Sequence, residues 1–101
     1  MSDEPGRQEI FRAKVNLETA RMPWREMQRY FASGAALYVS SDLDLVEVAF
    51  QMSEDNAALI SQWMKAGLFG RVTDDQARIW LDADETLWAV VVSPWVLVQP
   101  D

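Results

Sequence analysis

The sequence predicts an α+β domain in which a small sheet of about four strands packs with about four helices. Two observations carry this prediction. The run at 87–99, LWAVVVSPWVLVQ, is apolar on both alternating faces of its first half, which is typical of a strand covered on both sides. Upstream, apolar residues recur at spacings of three and four between capping and breaking residues, which is typical of amphipathic helices.

The composition fits one globular domain. Of 101 residues, half are hydrophobic and a quarter are charged. We expect a disordered leader at 1–7, where Pro5 and Gly6 break regular structure, followed by a single domain at 8–101. The chain has no cysteine and no histidine, which excludes disulfides and thiolate chemistry and removes the commonest general base. No cofactor is expected.

The first two helices, at 8–21 and 23–33, are predicted from their apolar stripes. The first stripe consists of Ile10, Ala13, Leu17 and Ala20, and the second of Trp24, Met27 and Phe31. Pro23 separates the two helices, because its fixed φ ends one helix and suits the first turn of the next. Gly34 is a natural residue to end the second helix, and a β-rich strand near 35–40 follows.

The stretch at 45–52, LVEVAFQM, fits two patterns. The first is the alternation of apolar residues at Val46, Val48, Phe50 and Met52. The second is a helical stripe of Leu45, Val48, Ala49 and Met52. Alternation and β-branching favour a strand here, paired as a hairpin with the strand near 35–40.

Two further helices are predicted at 54–66 and 74–84. The first is expected to begin after Ser53 as N-cap and to end at Gly67. Its buried stripe consists of Leu59, Ile60, Trp63 and Met64. The second begins with the capping box formed by Thr73 and Gln76, and its buried side carries Ala77, Trp80 and Leu81. Residues 68–72 between the helices form a short connection or an edge strand.

The last two strands are predicted near 87–92 and 95–99. Pro94 between them cannot donate a ladder hydrogen bond, so it marks a bend, a bulge or a strand break. Ser93 and Pro94 are poor residues for a two-residue hairpin, because those turns favour positive φ. We therefore expect one long bent strand, or two strands that cross between regions of the sheet.

Carboxylates are the candidate metal ligands. Asp42 and Asp44 lie two residues apart, and Asp82, Asp84 and Glu85 form a second group. Without histidine or cysteine, only hard cations such as magnesium, calcium or manganese suit them. Neither group has the pattern of a calcium loop, and turn or cap roles explain most of the acids. A cation-binding domain or enzyme that uses these acids is therefore the alternative function.

The net charge of −7 disfavours nucleic acid and acidic lipid as partners. Arg21, Arg25 and Arg29 form the best basic group, but no nucleic-acid recognition motif accompanies them. The longest apolar run is shorter than the roughly 20 residues of a membrane helix, so no membrane partner is expected. The polar N-terminus lacks the apolar segment of a secretory signal, and the expected location is cytoplasmic.

Five tryptophans are the unusual feature of the composition. Four of them, Trp24, Trp63, Trp80 and Trp88, are expected in or near the core. Trp95 follows Pro94 and is expected to be partly exposed, so Trp95, Val96 and Val98 form the candidate contact surface. The preferred function is a non-enzymatic interaction module. It would form a homodimer through its C-terminal β segment, since an exposed strand edge needs a cover, or bind an unidentified protein partner.

Four segments together resemble a family of small uncharacterised bacterial proteins, a domain-of-unknown-function family. They are ETARMPW at 18–24, LDLVEVA at 43–49, WMKAG at 63–67 and LWAVVVSPWVLVQ at 87–99. The resemblance runs from about residue 13 to residue 99, and PWVLVQ at 94–99 is its most specific part. It implies a bacterial domain and implies no activity, cofactor or site residue.

Overall fold

Five strands form one mixed sheet at the centre of the computed structural model, which describes residues 9–11, 14–15 and 18–101. In chain order the strands are Ala20–Pro23 (β1), Ala36–Val39 (β2), Phe69–Arg71 (β3), Thr86–Val92 (β4) and Trp95–Gln99 (β5). Their order across the sheet is β1-β4-β5-β2-β3. Strands β2 and β5 are parallel, and the other neighbouring pairs are antiparallel. The α+β class is confirmed, with one strand more than expected.

Helices cover both faces of this sheet. The described residues of the first helix, α1, are 9–11, 14, 15 and 18. The later helices are the 3₁₀ helix Trp24–Met27, then Gln28–Ala32 (α2), Leu45–Ser53 (α3), Ala57–Lys65 (α4) and Asp74–Asp82 (α5). The 3₁₀ helix, α2 and α5 pack on one face, and α1, α3 and α4 on the other. In the part of the chain that the structure describes, none of these helices is long and apolar enough to cross a bilayer.

Each face of the sheet has its own hydrophobic core. On the first face the fully buried Trp24 donates its indole N–H to the Ala77 carbonyl at 3.0 Å. The Trp24 ring also meets Trp80 edge to face, with 5.1 Å between ring centroids. On the second face Val48 of α3 and Leu97 of β5 are fully buried. The sheet is therefore apolar on both sides, as the run at 87–99 predicts.

The helix expected at 8–21 ends before β1. Ala20 was expected on its buried stripe, but it is exposed in β1 and lies opposite Ala89 of β4. Ile10 is also exposed, at 72%, whereas Val15 is buried at 5%. Pairing with β4 thus outweighs the local helical period. The other stripe residues, Ala13 and Leu17, and the expected leader at 1–7 lie outside the described residues.

The helix expected at 23–33 is present in two parts, the 3₁₀ helix and α2. Pro23 is the last residue of β1 and not the first residue of a helix. Trp24 and Met27 are fully buried as expected, and Gly34 has a φ of 79°, which confirms its place after the helix end.

The prediction of a strand at 45–52 is wrong, because these residues belong to α3. Asp44 caps the helix: its Oδ1 accepts from the Val46 N–H at 2.9 Å and the Glu47 N–H at 3.3 Å. The helical stripe was therefore the correct pattern, and its members Leu45, Val48 and Ala49 are buried. The alternating apolar residues were wrongly interpreted as a strand. A helix that packs on a sheet can carry apolar residues at the flanks of its buried face as well as at the centre of that face.

The start expected for the helix at 54–66 is also wrong. Ser53 is the last residue of α3, and its hydroxyl donates to the Phe50 carbonyl at 2.6 Å. Asp55 adopts a φ of 57° in the connection, and Asn56 caps α4 by accepting from the Leu59 N–H at 3.2 Å. Gly67 follows α4 with a φ of 76°, so the predicted end is confirmed. Met64, expected to be buried, is 54% exposed.

The capping box at the start of α5 is confirmed. The Gln76 N–H donates to the Thr73 hydroxyl at 3.1 Å, and the Thr73 N–H donates to the Gln76 side chain at 3.1 Å. The helix ends at Asp82, and Leu81 is 47% exposed although it was expected to be buried. Residues 68–72 contain β3, which lies at the edge of the sheet as expected.

Strands β4 and β5 form a tight antiparallel hairpin, which corrects the expected bend at Pro94. Val92 lies opposite Trp95, so only Ser93 and Pro94 form the turn. The peptide bond between Ser93 and Pro94 is cis, the arrangement of a type VI turn, and neither residue has positive φ. Ser93 and Pro94 were considered poor hairpin residues because the common two-residue turns need positive φ. This turn does not need positive φ.

The Asp101 carboxylate links two strands at the opposite end of β4. It accepts hydrogen bonds from the two Arg21 amino groups at 2.9 and 2.7 Å, and from the Trp88 indole N–H at 3.0 Å. The Arg21 guanidinium lies over the Trp88 ring, 5.1 Å from its centroid. Trp88 was expected in or near the core; it is 37% exposed, and this contact covers part of its surface.

Removing the cap of α3 should destabilise the protein. We expect Asp44→Ala to lower the free energy of unfolding by about 1 kcal/mol, since the first-turn N–H groups lose their acceptor. Asp42→Ala is the control, because the exposed Asp42 side chain makes no hydrogen bond with the described residues. Urea denaturation followed by circular dichroism measures both variants. Equal effects at the two positions would contradict a capping role for Asp44.

The contact around Asp101 should respond to acid. Hydrogen bonds from Arg21 lower the pKa of the Asp101 carboxyl below its ordinary value of 3.8. Because the folded pKa is lowered, the stabilisation is present above 3.8 and is lost as pH falls through the folded pKa. An NMR titration of the Trp88 indole N–H should show a transition below pH 3.8 that Asp101→Asn abolishes. A transition at or above 3.8 would contradict this contact.

Candidate functional site

A groove of about 720 Å³ lies on the sheet face that α3 and α4 cover. It lies where the β4–β5 turn, the start of β2 and the end of β3 meet, beneath the connection between α3 and α4. We call it the α3–α4 groove. Its apolar lining consists of Leu37, Met52, Ile60, Met64, Phe69, Val92 and Trp95. These side chains come from separate parts of the chain, so the fold alone brings them together.

Polar groups lie around this apolar lining. The Ser53 hydroxyl and the Asn56 side chain are already used, because Ser53 donates to the Phe50 carbonyl and Asn56 donates to Gln51 Oε1 at 2.9 Å. Ser61, Ser93, Asp55 and Arg71 also line the groove. The site thus combines an apolar interior with a few polar groups, which is the usual character of a ligand pocket.

The expected cation ligands do not form a metal centre. Asp44 caps α3, and Asp84 forms an ion pair with Arg25. Asp42 lies in an exposed turn, where its N–H donates to the Ser40 hydroxyl at 3.1 Å. Asp82 and Glu85 are exposed next to Asp84. Among the residues described, no group of three or more acids is arranged to hold a metal ion.

The expected contact surface at the C-terminal segment lies mostly inside the protein. Val96 is 4% exposed and Val98 is fully buried, because β5 lies between β4 and β2. Both edges of β5 are therefore paired within the chain. Trp95 differs from them. It is only partly buried and lines the α3–α4 groove, so it is the member of this group that a ligand could contact.

The three arginines considered for nucleic acid have partners within the chain. Arg21 binds Asp101, and Arg25 binds Asp84. Arg29 donates to the Tyr30 hydroxyl at 2.9 Å and lies over the Tyr30 ring. These contacts use much of the hydrogen-bonding capacity that a phosphate would need.

The sequence did not reveal the α3–α4 groove or the place of Arg71 beside it. The groove depends on the junction of α3 with α4, and 45–52 was interpreted as a strand. The sequence held one indication. Met64 is the last apolar residue of the stripe on its helix and lies close to the glycine-containing segment 67–70, where the helical cover ends. No local pattern indicates that this stripe faces Trp95, because the two are brought together by the sheet.

Comparison with known proteins identifies the family of this chain. Residues 10–100 match the family model described as "Protein of unknown function (DUF2288)". The chain is also similar to PA1075 from Pseudomonas aeruginosa, whose NMR solution structure superposes with a TM-score of 0.78 at 41% sequence identity. That match covers 98% of this chain and 92% of PA1075. No curated protein matches the chain significantly. The chain therefore belongs to the DUF2288 family of proteins of unknown function.

Proposed function

We propose that this protein is a non-enzymatic binding domain that holds a small, largely apolar molecule in the α3–α4 groove. The groove itself is the observation that carries the proposal. Its volume of about 720 Å³ falls within the range of small-molecule sites, roughly 300–1,000 Å³. Trp95 and Phe69 give it aromatic surface, and Met52 and Met64 give it flexible apolar walls that adapt to a ligand.

The structure gives less support to the alternative function, a cation-binding domain or an enzyme that uses carboxylates. Asp44 and Asp84 have structural roles as a helix cap and an ion-pair partner. Asp42 and Asp82 are exposed and separate from the groove. The bacterial, cytoplasmic setting expected from the sequence stays a prediction.

Filling the groove should weaken binding of an apolar probe. Ala57 and Ala58 are adjacent exposed residues in the first turn of α4, but only Ala57 lines the groove. We expect the native protein to bind Nile red, a neutral apolar dye, and Ala57→Trp to weaken that binding about tenfold or more. Ala58→Trp is the matched control and should bind as the native protein does. The measurement is a fluorescence titration of the dye.

Failure of the native protein to bind Nile red would overturn the proposal. Equal binding by both tryptophan variants would also count against it, because the dye would then lie elsewhere. Circular dichroism spectra of the two variants establish that each is folded.

We infer a second role, self-association, for the open edge of the sheet at β3. The Ser40 N–H donates to the Leu68 carbonyl at 2.8 Å, so hydrogen-bonded pairs alternate with non-hydrogen-bonded ones from there along β3. Phe69 and Arg71 fall at the non-hydrogen-bonded positions, opposite Val39 and Leu37. Their backbone N–H and C=O groups therefore point away from β2, and no hydrogen bond joins them to other described residues.

A second copy of the chain fits this edge. Antiparallel pairing of two β3 strands about Gly70 would match the donors and acceptors of Phe69 in one copy with those of Arg71 in the other. The opposite edge, β1, is blocked at Pro23, which has no N–H to donate. The homodimer expected from the sequence is thus proposed at β3 and not at the paired strand β5.

Proline at the outward-facing position should disrupt such a dimer. Arg71→Pro removes one outward N–H without removing a hydrogen bond to β2, whereas Arg71→Ala keeps that N–H. Size-exclusion chromatography with light scattering should show a concentration-dependent dimer for the native protein and Arg71→Ala, and a monomer for Arg71→Pro. A monomeric native protein, or a dimer that survives Arg71→Pro, would contradict pairing at β3.

A further inference from the structure

We propose that the ligand of the α3–α4 groove carries a negatively charged group and that Arg71 binds this group. The inference rests on the proposed function and names the class of its ligand, a small amphipathic anion. It is carried by the position of Arg71 beside the groove and by the lack, among the described residues, of a partner for its charge.

Arg71 is the last residue of β3 and lines the end of the groove. Its guanidinium lies over Gly34, in the turn after α2. A side-chain carbon built at Gly34 would be 3.5 Å from Arg71 Nη1 and 3.7 Å from Cζ. The arginine is exposed, and its side chain also lines a smaller pocket with Gly34 and Asp74, so it lies between that pocket and the end of the groove.

The charge of Arg71 has no partner in the described part of the chain. Arg21, Arg25 and Arg78 each form an ion pair with an aspartate, and Arg29 donates to Tyr30. Arg71 forms neither an ion pair nor a hydrogen bond with any residue described. The chain has 16 acidic residues against nine basic ones, so a lack of carboxylates does not explain this.

Charge complementarity therefore favours an anion at the Arg71 end of the groove. A guanidinium presents N–H donors in a planar fork that matches a carboxylate or sulfonate. Asp55 also lines the groove, on the connection between α3 and α4, and its charge favours placing the anionic group away from it. The net charge of −7 disfavours large polyanions, which leaves a small molecule with an apolar body and one acidic group.

Two dyes separate this inference from the proposed function. Nile red is neutral and tests apolar binding alone, whereas anilinonaphthalene sulfonate has a similar apolar body and an anionic sulfonate. We expect Arg71→Gln to weaken binding of the sulfonate dye about tenfold and to leave Nile red binding unchanged. Arg71→Lys should restore part of the lost affinity, and added salt should weaken sulfonate binding to the native protein.

Arg78→Gln is the matched control, because it removes the same charge from an exposed arginine outside the groove. It should change neither affinity. If Arg71→Gln and Arg78→Gln bind the sulfonate dye equally, Arg71 has no special role and this inference is overturned while Nile red binding still supports the groove. If the native protein does not bind Nile red, both the inference and the proposed function fail.

Discussion

The structure depends on the double pairing and double burial of β5. This strand is antiparallel to β4 on one side and parallel to β2 on the other, so its backbone groups join the two halves of the sheet. Its side chains alternate between the faces: Leu97 belongs to the core beneath α3 and α4, and Val98 to the core beneath the 3₁₀ helix and α5. Both residues are fully buried. Parallel pairing of β2 with β5 also requires a long connection, and that connection supplies α3, α4, β3, α5 and β4.

The same connection explains why the α3–α4 groove exists on this face of the sheet. After α3 ends, the chain reverses through the turn at Asp55 and returns as α4, so helical cover is interrupted above the β4–β5 turn. Val92 and Trp95 lie on that uncovered part of the sheet, and Met64 and Ile60 of α4 form the facing wall. Apolar surface at this place is a consequence of the topology. The polar groups of the groove come from α4, from the ends of α3 and β3, and from the short connections at Asp55 and Ser93.

Local signals in the sequence predicted a good part of the fold. The capping box at Thr73, the glycines at 34 and 67 and the apolar strands near 87–92 and 95–99 depend on neighbouring residues, and each is confirmed. The strand at Ala20–Pro23 and the helix at Leu45–Ser53 were not predicted, because one needs β4 as a partner and the other fits two periods equally well until Asp44 is seen to cap it. Little of the candidate site was predictable beyond Trp95. The site combines four separate parts of the chain, and the lack of a partner for Arg71 among the described residues follows from the whole fold and not from neighbouring residues.

The position of β5 has a consequence for how the protein is made. It is the last strand along the chain, yet it occupies the centre of the sheet. Until it leaves the ribosome, β1 can pair only with β4, and β2 only with β3, and two-stranded units of this kind are marginally stable in water. Synthesis of β5 should therefore join two loose strand pairs into one five-stranded sheet in a single step. A nascent chain that stops short of residue 95 would expose both apolar faces, which makes it a substrate for chaperones and proteases.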